Sequence, residues 1–271
     1  MIPARLEVWV KAWRLQPDGE SIVTPSSLLL PVLADGIAAM LKVALIDEEV
    51  RGGEQMAWWA GRGTAPVLAS EGGALLMNRA PGGSLALMVK SGGDQEATSI
   101  ICRLAQELHR APPTAGLELL PLEVWFAPLL QGAMESEELT LARDTARRLI
   151  SRPLDEVALH GDLHHENVLD FGSGDWRVID PKGLRGERTF DFVHLLRNPD
   201  AVTVTTPGRL QARVAQIAAE AGVSTARLLA WTVAFSGLSA TWNIEDGGNP
   251  SDDLKLLRRS RALLNLAGKW E

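Results

Sequence analysis

Residues 160–167 have the sequence His160-Gly161-Asp162-Leu163-His164-His165-Glu166-Asn167, and Asp180-Pro181-Lys182-Gly183 begins thirteen residues after Asn167. Asp162 and Asn167 are five positions apart, as are the catalytic Asp and Asn of the kinase pattern H-x-D-x-x-x-x-N. Phosphoryl transfer needs one carboxylate at the acceptor hydroxyl, and an amide oxygen and a second carboxylate at a magnesium ion. The stretch therefore predicts a phosphoryl-transfer site in which Asp162 is catalytic and Asn167 and Asp180 bind Mg²⁺.

Two other interpretations of these residues stay open. The first is a metal hydrolase, because five side chains in the stretch are potential ligands of a transition metal: His160, Asp162, His164, His165 and Glu166. The other two histidines of the sequence are far apart and form no second cluster, so the spacing favours phosphoryl transfer. The second is a nucleotide-binding pseudokinase, which the intact set of motif residues argues against.

The composition is that of a globular protein without a membrane-spanning segment. The 271 residues are 46% hydrophobic and 23% charged, and no apolar run approaches the roughly eighteen residues of a spanning helix. The first residues lack the basic flank and apolar stretch of a signal peptide, so we expect a cytoplasmic location. A net charge of −7 argues against nucleic acid as a partner. We expect a monomer that binds neither nucleic acid nor membranes.

The first eighty residues are predicted to form a small β-rich lobe. Alternating apolar runs are separated by turn signals such as Pro17-Asp18-Gly19, which is typical of antiparallel strands. Strands are predicted over residues 6–15, 27–33, 37–44, 66–69 and 74–78, with one helix over 47–60. The glycine-rich segment 80–83 is the expected linker to a second lobe.

Beyond this linker the pattern becomes helical. From Asp94 to His109 the apolar residues recur every three or four positions, which predicts an amphipathic helix with one buried face. Further helices are predicted over residues 122–131, 137–150, 209–221, 225–244 and 252–267. The prediction is an α+β fold with an N-terminal lobe over 1–80, which binds nucleotide, and a C-terminal helical lobe over 81–271, which carries catalysis and substrate binding.

A phosphoryl-transfer site also needs a cation at the nucleotide phosphates, held by a helix carboxylate. Lys42 is the candidate, because it lies in an apolar strand that would bury its stem and leave the ammonium facing a cleft. Taken alone, Lys42 would more often be an exposed lysine that protects the edge of a sheet, but the motif at residues 160–180 reverses that preference. We favour Glu49 as its partner, because Glu49 shares a helix face with Met56, whereas Glu48 and Glu54 lie on other faces.

The remaining nucleotide contacts are predicted from position in the chain. Backbone groups between the lobes usually hold an adenine ring, so Met77, Asn78 and Ala80 are candidates for binding the nucleotide. No G-x-G-x-x-G loop lies between the first two predicted strands. Ser26 and Ser27 are the candidates for contacting phosphate there, although a polar turn without a ligand is the default interpretation of that segment.

Two long stretches, residues 159–172 and 179–191, carry a family resemblance. Shorter matching stretches lie at residues 13–15, 26–27, 40–44, 74–77 and 237–242. Together they resemble the aminoglycoside/hydroxyurea phosphotransferase family, and within it the streptomycin 6-phosphotransferases. Nearly the whole chain is covered by this resemblance.

The resemblance implies a protein-kinase-like fold, with a five-stranded upper lobe, a helical lower lobe, and ATP and Mg²⁺ between them. It also implies transfer of the γ-phosphate to a hydroxyl of an aminoglycoside, with 6-O-phosphorylation of streptomycin and antibiotic resistance as the expected outcome. Hydroxyurea or another small molecule is the alternative acceptor. Asp162 would orient or deprotonate the hydroxyl, and Asp191 would brace the catalytic loop.

The acceptor is expected to be a small molecule. Only ten residues separate Asp180 from Asp191, which leaves no room for the long regulated activation loop of a protein kinase. A guanidinium-bearing acceptor would be expected to meet carboxylates, since the two groups form bidentate pairs. Glu166, Glu245 and Asp246 are the candidates for substrate binding, although each fits equally well as a helix cap or a solvated charge.

Overall fold

The chain folds into two lobes, of which the computed structural model describes residues 2–111, 116–132 and 136–270. An antiparallel sheet occupies the first part of the chain and helices dominate the rest, so the predicted α+β architecture is confirmed. The division of the chain at residue 80 stays a prediction.

The upper lobe is a sheet with one helix on each face. Its strands β1 to β6 span Gln16–Pro17, Ile22–Val23, Ser27–Ala34, Ile37–Ala44, Val67–Glu71 and Ala74–Asn78. Its helices α1 and α2 span Ala4–Ala12 and Asp47–Trp58. The spatial order is β1-β3-β4-β6-β5, and β2 pairs with the same edge of β3 as β1. The sheet has six strands rather than the implied five, because its edge strand is interrupted between β1 and β2.

The predicted strand over residues 6–15 is wrong, because most of this run forms helix α1. Leu6, Trp9, Val10 and Trp13 recur at helical spacing and pack against one face of the sheet. The valines and tryptophans suggested a strand, but the three- and four-residue spacing of the contacts is that of a helix. The spacing of the buried side chains is therefore a better guide to this segment than the β propensity of its valines and tryptophans.

Strand alternation separates the two faces of the sheet. Leu30 and Leu41 are paired across β3 and β4, and both are fully buried beside Leu6 of α1. Leu29 and Lys42 form the next pair and point to the opposite face, because successive side chains of a strand alternate. The inner face therefore presents Lys42 toward α2.

The lower lobe is mostly helical. Helices α3 to α12 span Leu85–Lys90, Asp94–His109, Leu122–Trp125, Ala127–Gln131, Glu137–Ser151, Val193–Arg197, Ala201–Thr205, Arg209–Ala221, Thr225–Glu245 and Ser251–Ala267. Strands β7 to β11 span Leu120–Pro121, Glu156–Leu159, Val168–Asp170, Trp176–Val178 and Leu184–Glu187. β9 pairs with β10, and β11 lies between β7 and β8. The predicted helices of this lobe begin and end within one residue of the observed ones, except over 122–131.

The predicted helix over 122–131 is wrong in one respect, since it is broken into α5 and α6. Pro128 is the second residue of α6. Proline has no N–H to donate to the carbonyl of Val124, and its ring crowds that carbonyl. The helix therefore ends and restarts at Phe126.

Helix α11 forms the centre of the lower lobe. Its residues 226–241 are all buried, as expected for a helix that is apolar on every side. The Trp231 ring lies 6.0 Å from that of Phe126 and 5.5 Å from that of Phe190, in edge-on contacts. In the part of the chain that the structure describes, no helix has the length and apolarity needed to cross a bilayer.

Backbone hydrogen bonds join both the upper lobe and the linker to the hairpin of β9 and β10. Ala65 donates to the carbonyl of Val178, and Val178 donates to that of Gly63, each at 2.9 Å. Gly82 donates to the carbonyl of Asp170, and Asp170 to that of Gly83, each at 3.0 Å. These bonds fix the upper sheet above the hairpin of β9 and β10.

Candidate active site

The loop 160–167 connects β8 to β9 and is braced from below by Asp191. The Asp191 carboxylate accepts hydrogen bonds from the backbone N–H of His160 at 3.0 Å and of Gly161 at 2.8 Å. His109 Nε2 lies 2.8 Å from the same carboxylate. Burial raises the pKa of Asp191, but these contacts outweigh it and leave the pKa below its usual value. Asp191 is therefore an ionised brace of the loop.

His160 joins the loop to the segment that carries Asp180. Its Nε2 donates to the carbonyl of Ile179 at 2.9 Å, and its Nδ1 accepts from the Asp162 backbone N–H at 3.3 Å. The second contact requires the neutral ring with its proton on Nε2, because a protonated Nδ1 cannot accept a hydrogen bond. The ring is fully buried, and burial lowers the pKa of His160 to about 4.

Asp162 and Asn167 lie side by side in the loop. The Asn167 amide nitrogen donates to the Asp162 backbone carbonyl at 2.9 Å and lies 3.4 Å from its carboxylate. His194 Nδ1 and His164 Nε2 lie 3.3 and 3.6 Å from the other carboxylate oxygen. Burial raises the pKa of Asp162, but the two histidines outweigh it and hold the pKa well below its usual value. Asp162 is therefore a carboxylate at neutral pH.

Lys42 contacts two carboxylates, one from each lobe. It forms ion pairs with Glu49 of α2 and with Asp180 of the segment after β10. The pairing with Glu49, rather than Glu48 or Glu54, is the one expected from the helix face of Glu49. Ser26 donates to Glu49 at 2.9 Å and holds it in place.

Lys182 forms a second cationic centre beside the first. Its Nζ lies 3.5 Å from Glu48, 3.7 Å from Asp180 and 3.8 Å from Asp162. Burial lowers the pKa of Lys182, but the three carboxylates outweigh it and raise the pKa above its usual value. Lys182 is therefore charged at any physiological pH.

Two cavities meet at these residues. The upper cavity, of about 400 Å³, lies between the inner face of the sheet, α2 and residues 179–182. The lower cavity, of about 490 Å³, lies between α2, α5, α8 and α11, and its lining includes Asp162 and His194. Among the described residues that line either cavity, only Lys182 lines both. The arrangement suits a reaction in which a group passes from one cavity to the other.

A sequence profile of the family described as aminoglycoside/hydroxyurea antibiotic resistance kinase matches residues 12–247. The chain belongs to this family. The predicted resemblance is therefore confirmed at the level of the family, and the match spans both lobes and both cavities.

Among curated members, the streptomycin 3″-kinase of Klebsiella pneumoniae is 47% identical over 244 residues, which cover 88% of this chain and 92% of the relative. The streptomycin 6-kinase of Streptomyces griseus is 30% identical over 262 residues, covering 91% and 84%. The resemblance to a 6-kinase is thus weaker than that to a 3″-kinase.

The fold of this family member is also that of a solved phosphotransferase. A thermostable mutant of aminoglycoside phosphotransferase APH(4)-Ia, in a ternary complex with ADP and hygromycin B, superposes with a TM-score of 0.67 at 14% identity. The superposition covers 98% of this chain and 99% of the other. The predicted protein-kinase-like fold is confirmed by this likeness.

The structure brings most of the predicted nucleotide residues to the upper cavity. Its lining includes Ser26, Ser27, Lys42, Glu49, Met77 and Asp180. Asn78 and Ala80 are absent from the described lining, and the Asn78 N–H is already bonded to the carbonyl of Pro66. The Ser27 N–H already donates to the Thr24 hydroxyl. The Ser27 hydroxyl has no partner in the described structure, so it is the group of Ser27 that a ligand would contact.

The predicted substrate residues lie elsewhere on the surface. Glu166, Glu245 and Asp246 are exposed and do not belong to the described lining of the lower cavity. Glu245 and Asp246 stand at the exposed end of α11, beyond its buried part. Their role in substrate binding stays a prediction.

Aromatic side chains, rather than the three predicted carboxylates, line the lower cavity. Trp125, Phe235 and Trp242 line the lower cavity, with the two tryptophan rings 5.5 Å apart. Sequence reasoning missed Trp125, His194 and Lys182, because each reaches the site through tertiary packing. Lys182 alone had a local signal, since it lies two residues after the motif aspartate Asp180.

Proposed function

We propose that this chain is an ATP-dependent O-phosphotransferase and that streptomycin is its acceptor. The observation that carries the proposal is that Asp180 lines the upper cavity and Asp162 lines the lower one, where the two cavities meet. The 47% identity to a streptomycin kinase supports the acceptor. The fold shared with a phosphotransferase that holds ADP and hygromycin B supports a nucleotide as donor.

ATP is the proposed donor and would occupy the upper cavity. Lys42 would bind its phosphates, because Lys42 is a cation on the inner face of the sheet and is kept in position by Glu49. Ser26 and Ser27 would contact the phosphates, and Met77 would shape the wall. Ala80, through its backbone, and Asn78, through groups other than its bonded N–H, remain the proposed contacts for the adenine ring.

Asn167 and Asp180 fit a magnesium ion by the chemistry of their donor atoms. Mg²⁺ prefers oxygen ligands and usually takes only one or two from protein, with phosphates and water completing its shell. Because the Asn167 nitrogen is bonded to Asp162, its amide oxygen is the atom that faces a ligand. When bound, the ion would neutralise the charge of the β- and γ-phosphates. These residues would hold it beside Lys42.

Asp162 would act on the acceptor hydroxyl. As a carboxylate with a low pKa, it accepts a hydrogen bond from the hydroxyl and orients the oxygen toward the γ-phosphorus. A bond then forms between this oxygen and phosphorus, the bond from phosphorus to the ADP oxygen breaks, and the hydroxyl proton passes to Asp162. Product release returns the proton to solvent.

The size and chemistry of the lower cavity favour an aminoglycoside over hydroxyurea. A volume of about 490 Å³ is in the range of drug-sized ligands, whereas hydroxyurea has five heavy atoms. Trp125, Phe235 and Trp242 offer faces on which sugar rings or guanidinium groups stack.

The proposal also concerns which hydroxyl of streptomycin receives the phosphoryl group. The family resemblance of the sequence implied the 6-hydroxyl. The higher identity to a 3″-kinase favours the 3″-hydroxyl of the amino sugar. We propose the 3″-hydroxyl as the first position and the 6-hydroxyl as the alternative.

A coupled ADP-release assay over a panel of acceptors tests the proposal. Streptomycin should give turnover that depends on Mg²⁺, and hydroxyurea should give little. No turnover with any aminoglycoside would refute the proposed activity. Fragmentation of phosphorylated streptomycin then assigns the hydroxyl, because the added phosphate stays with either the amino sugar or the streptidine.

A further inference from the structure

Lys182 occupies the boundary between the two cavities. Its side chain is only 16% exposed, and its ammonium lies near carboxylates from three elements: Glu48 of α2, Asp162 of the loop, and Asp180. The proposed function uses Asp162 and Asp180 but assigns nothing to the lysine between them. A buried cation at this point is therefore a group whose role is open.

The backbone of Lys182 is held rigidly from both lobes. Its N–H donates to the His160 carbonyl at 2.8 Å. On the other side, α2 packs so closely that a Cβ on Gly52 would lie 2.2 Å from the Pro181 carbonyl oxygen. The fully buried Gln55 bonds Gly183 N–H at 3.0 Å and the Leu159 carbonyl at 2.8 Å. The lysine is thus built into the site and is not a surface chain that happens to reach it.

The ammonium of Lys182 is not saturated by its neighbours. All three of its carboxylate distances, from 3.5 to 3.8 Å, are longer than the roughly 2.7–2.9 Å of a charge-assisted hydrogen bond. Lys42, by contrast, makes direct contacts with both of its carboxylates. Lys182 therefore has donors available to an anion that enters between Asp162 and Asp180.

We propose that Lys182 is a catalytic residue that contacts the phosphoryl group as it passes from the upper to the lower cavity. This inference rests on the proposed function. Lys182 keeps its proton and forms no covalent bond, while the phosphorus–oxygen bonds form and break as described above. Its donors oppose the negative charge on the phosphoryl oxygens, where a fixed cation in a water-poor site stabilises the transition state. Lys42 binds the nucleotide and Lys182 serves the transferred group.

Nucleotide binding distinguishes this role from a merely structural one. In Lys182→Met, the Kd of ADP should stay within about two-fold of the wild-type value, because ADP lacks the γ-phosphate. The Kd of AMP-PNP should rise about ten-fold, and kcat should fall by roughly 10²–10³ as for other transition-state donors. Lys11→Met, at an exposed lysine of α1, is the matched control and should change none of these. Equal weakening of ADP and AMP-PNP, or near-normal kcat, would overturn the proposal.

Charge balance is the competing explanation, and a double variant tests it. If Lys182 only neutralises Glu48, then Glu48→Gln should restore kcat in the Lys182→Met background. We expect the kcat of the double variant to lie as far below that of Glu48→Gln as the kcat of Lys182→Met lies below that of wild type. A double variant with the kcat of Glu48→Gln would overturn the proposal. If Lys182→Met fails to fold, Lys182→Arg keeps the charge but moves the donors, and should lower kcat with unchanged ADP affinity. Should wild type phosphorylate no aminoglycoside, the proposed acceptor fails, while the ADP and AMP-PNP comparison still decides the role of Lys182.

Discussion

At the scale of residues, the site depends on which groups are charged. Asp162 is held as a carboxylate by His164 and His194, which outweigh the effect of burial on its pKa. A carboxylate can orient the acceptor hydroxyl and take its proton, and an amide cannot take a proton. Replacing Asp162 by asparagine would therefore remove proton transfer while keeping a polar group at the acceptor hydroxyl.

Asp162→Asn should lower kcat by about 10²–10⁴, the usual contribution of a positioned general base. Its affinity for ADP should stay near that of wild type, because Asp162 lines the lower cavity and not the upper one. ADP release measures the first quantity and calorimetric titration the second. Activity within ten-fold of wild type would contradict the role given to Asp162.

The linear motif predicts Asp162, Asn167 and Asp180 as site residues, because their spacing is local and their chemistry is specific. Lys42 and Glu49 followed from strand alternation and a helix face. The acceptor wall could not be predicted in this way. Trp125 and Phe235 come from helices over a hundred residues apart, and only tertiary packing places them in one cavity.

At the scale of elements, α2 sets the position of the segment that carries Asp180 and Lys182. Gly52 and Gln55 lie one turn apart on the face of α2 that meets this segment. Glycine is unfavourable within a helix by roughly 1 kcal/mol relative to alanine. Its use at Gly52 has a packing reason, since the Pro181 carbonyl leaves no room for a side chain.

Gly52→Ala and Gly53→Ala form a matched pair on this helix. A Cβ on Gly52 would lie 2.2 Å from the Pro181 oxygen, whereas one on Gly53 would lie 3.8 Å from Leu75, an ordinary contact. Gly52→Ala should lower the free energy of unfolding by about 1–3 kcal/mol and reduce kcat. Gly53→Ala should leave stability unchanged or raise it by up to about 1 kcal/mol. Chemical denaturation measures the free energy of unfolding of both variants. Equal changes in the two would contradict a close contact between Gly52 and the Pro181 carbonyl.

Most elements could be predicted from hydrophobic period, turn residues and caps. The long amphipathic helix α4 has its predicted bounds, because its pattern is regular over many turns. Helix α1 was mistaken for a strand because β-branched and aromatic residues hid its period. Its helical period is that of Leu6, Trp9, Val10 and Trp13, and only the packing against the sheet shows that these are the buried residues.

At the scale of the whole molecule, the fold buries two histidines of the catalytic loop in neutral form. His160 and His165 are both fully buried, and burial lowers the pKa of each to about 4. The unfolded chain binds a proton at each near pH 6.5, so the unfolded state holds more protons between the two pKa values. Stability therefore falls as the pH drops from 6.5 to 4.

His165→Phe should reduce the amount by which the free energy of unfolding falls between pH 6.5 and pH 4. The substitution removes one titrating group whose ring nitrogens have no partner in the described structure. The full effect of one such histidine is at most about 3 kcal/mol between pH 6.5 and 4. Urea unfolding at several pH values measures it, and an unchanged pH slope in the variant would show that His165 is not buried in neutral form.

Intact mass spectrometry of streptomycin incubated with the protein and Mg·ATP tests the central claim most directly. Wild type should add one phosphoryl group to the antibiotic, and Asp162→Asn should add almost none in the same time. An unmodified antibiotic with folded, nucleotide-binding wild type would contradict the claim, and so would equal modification by the two proteins.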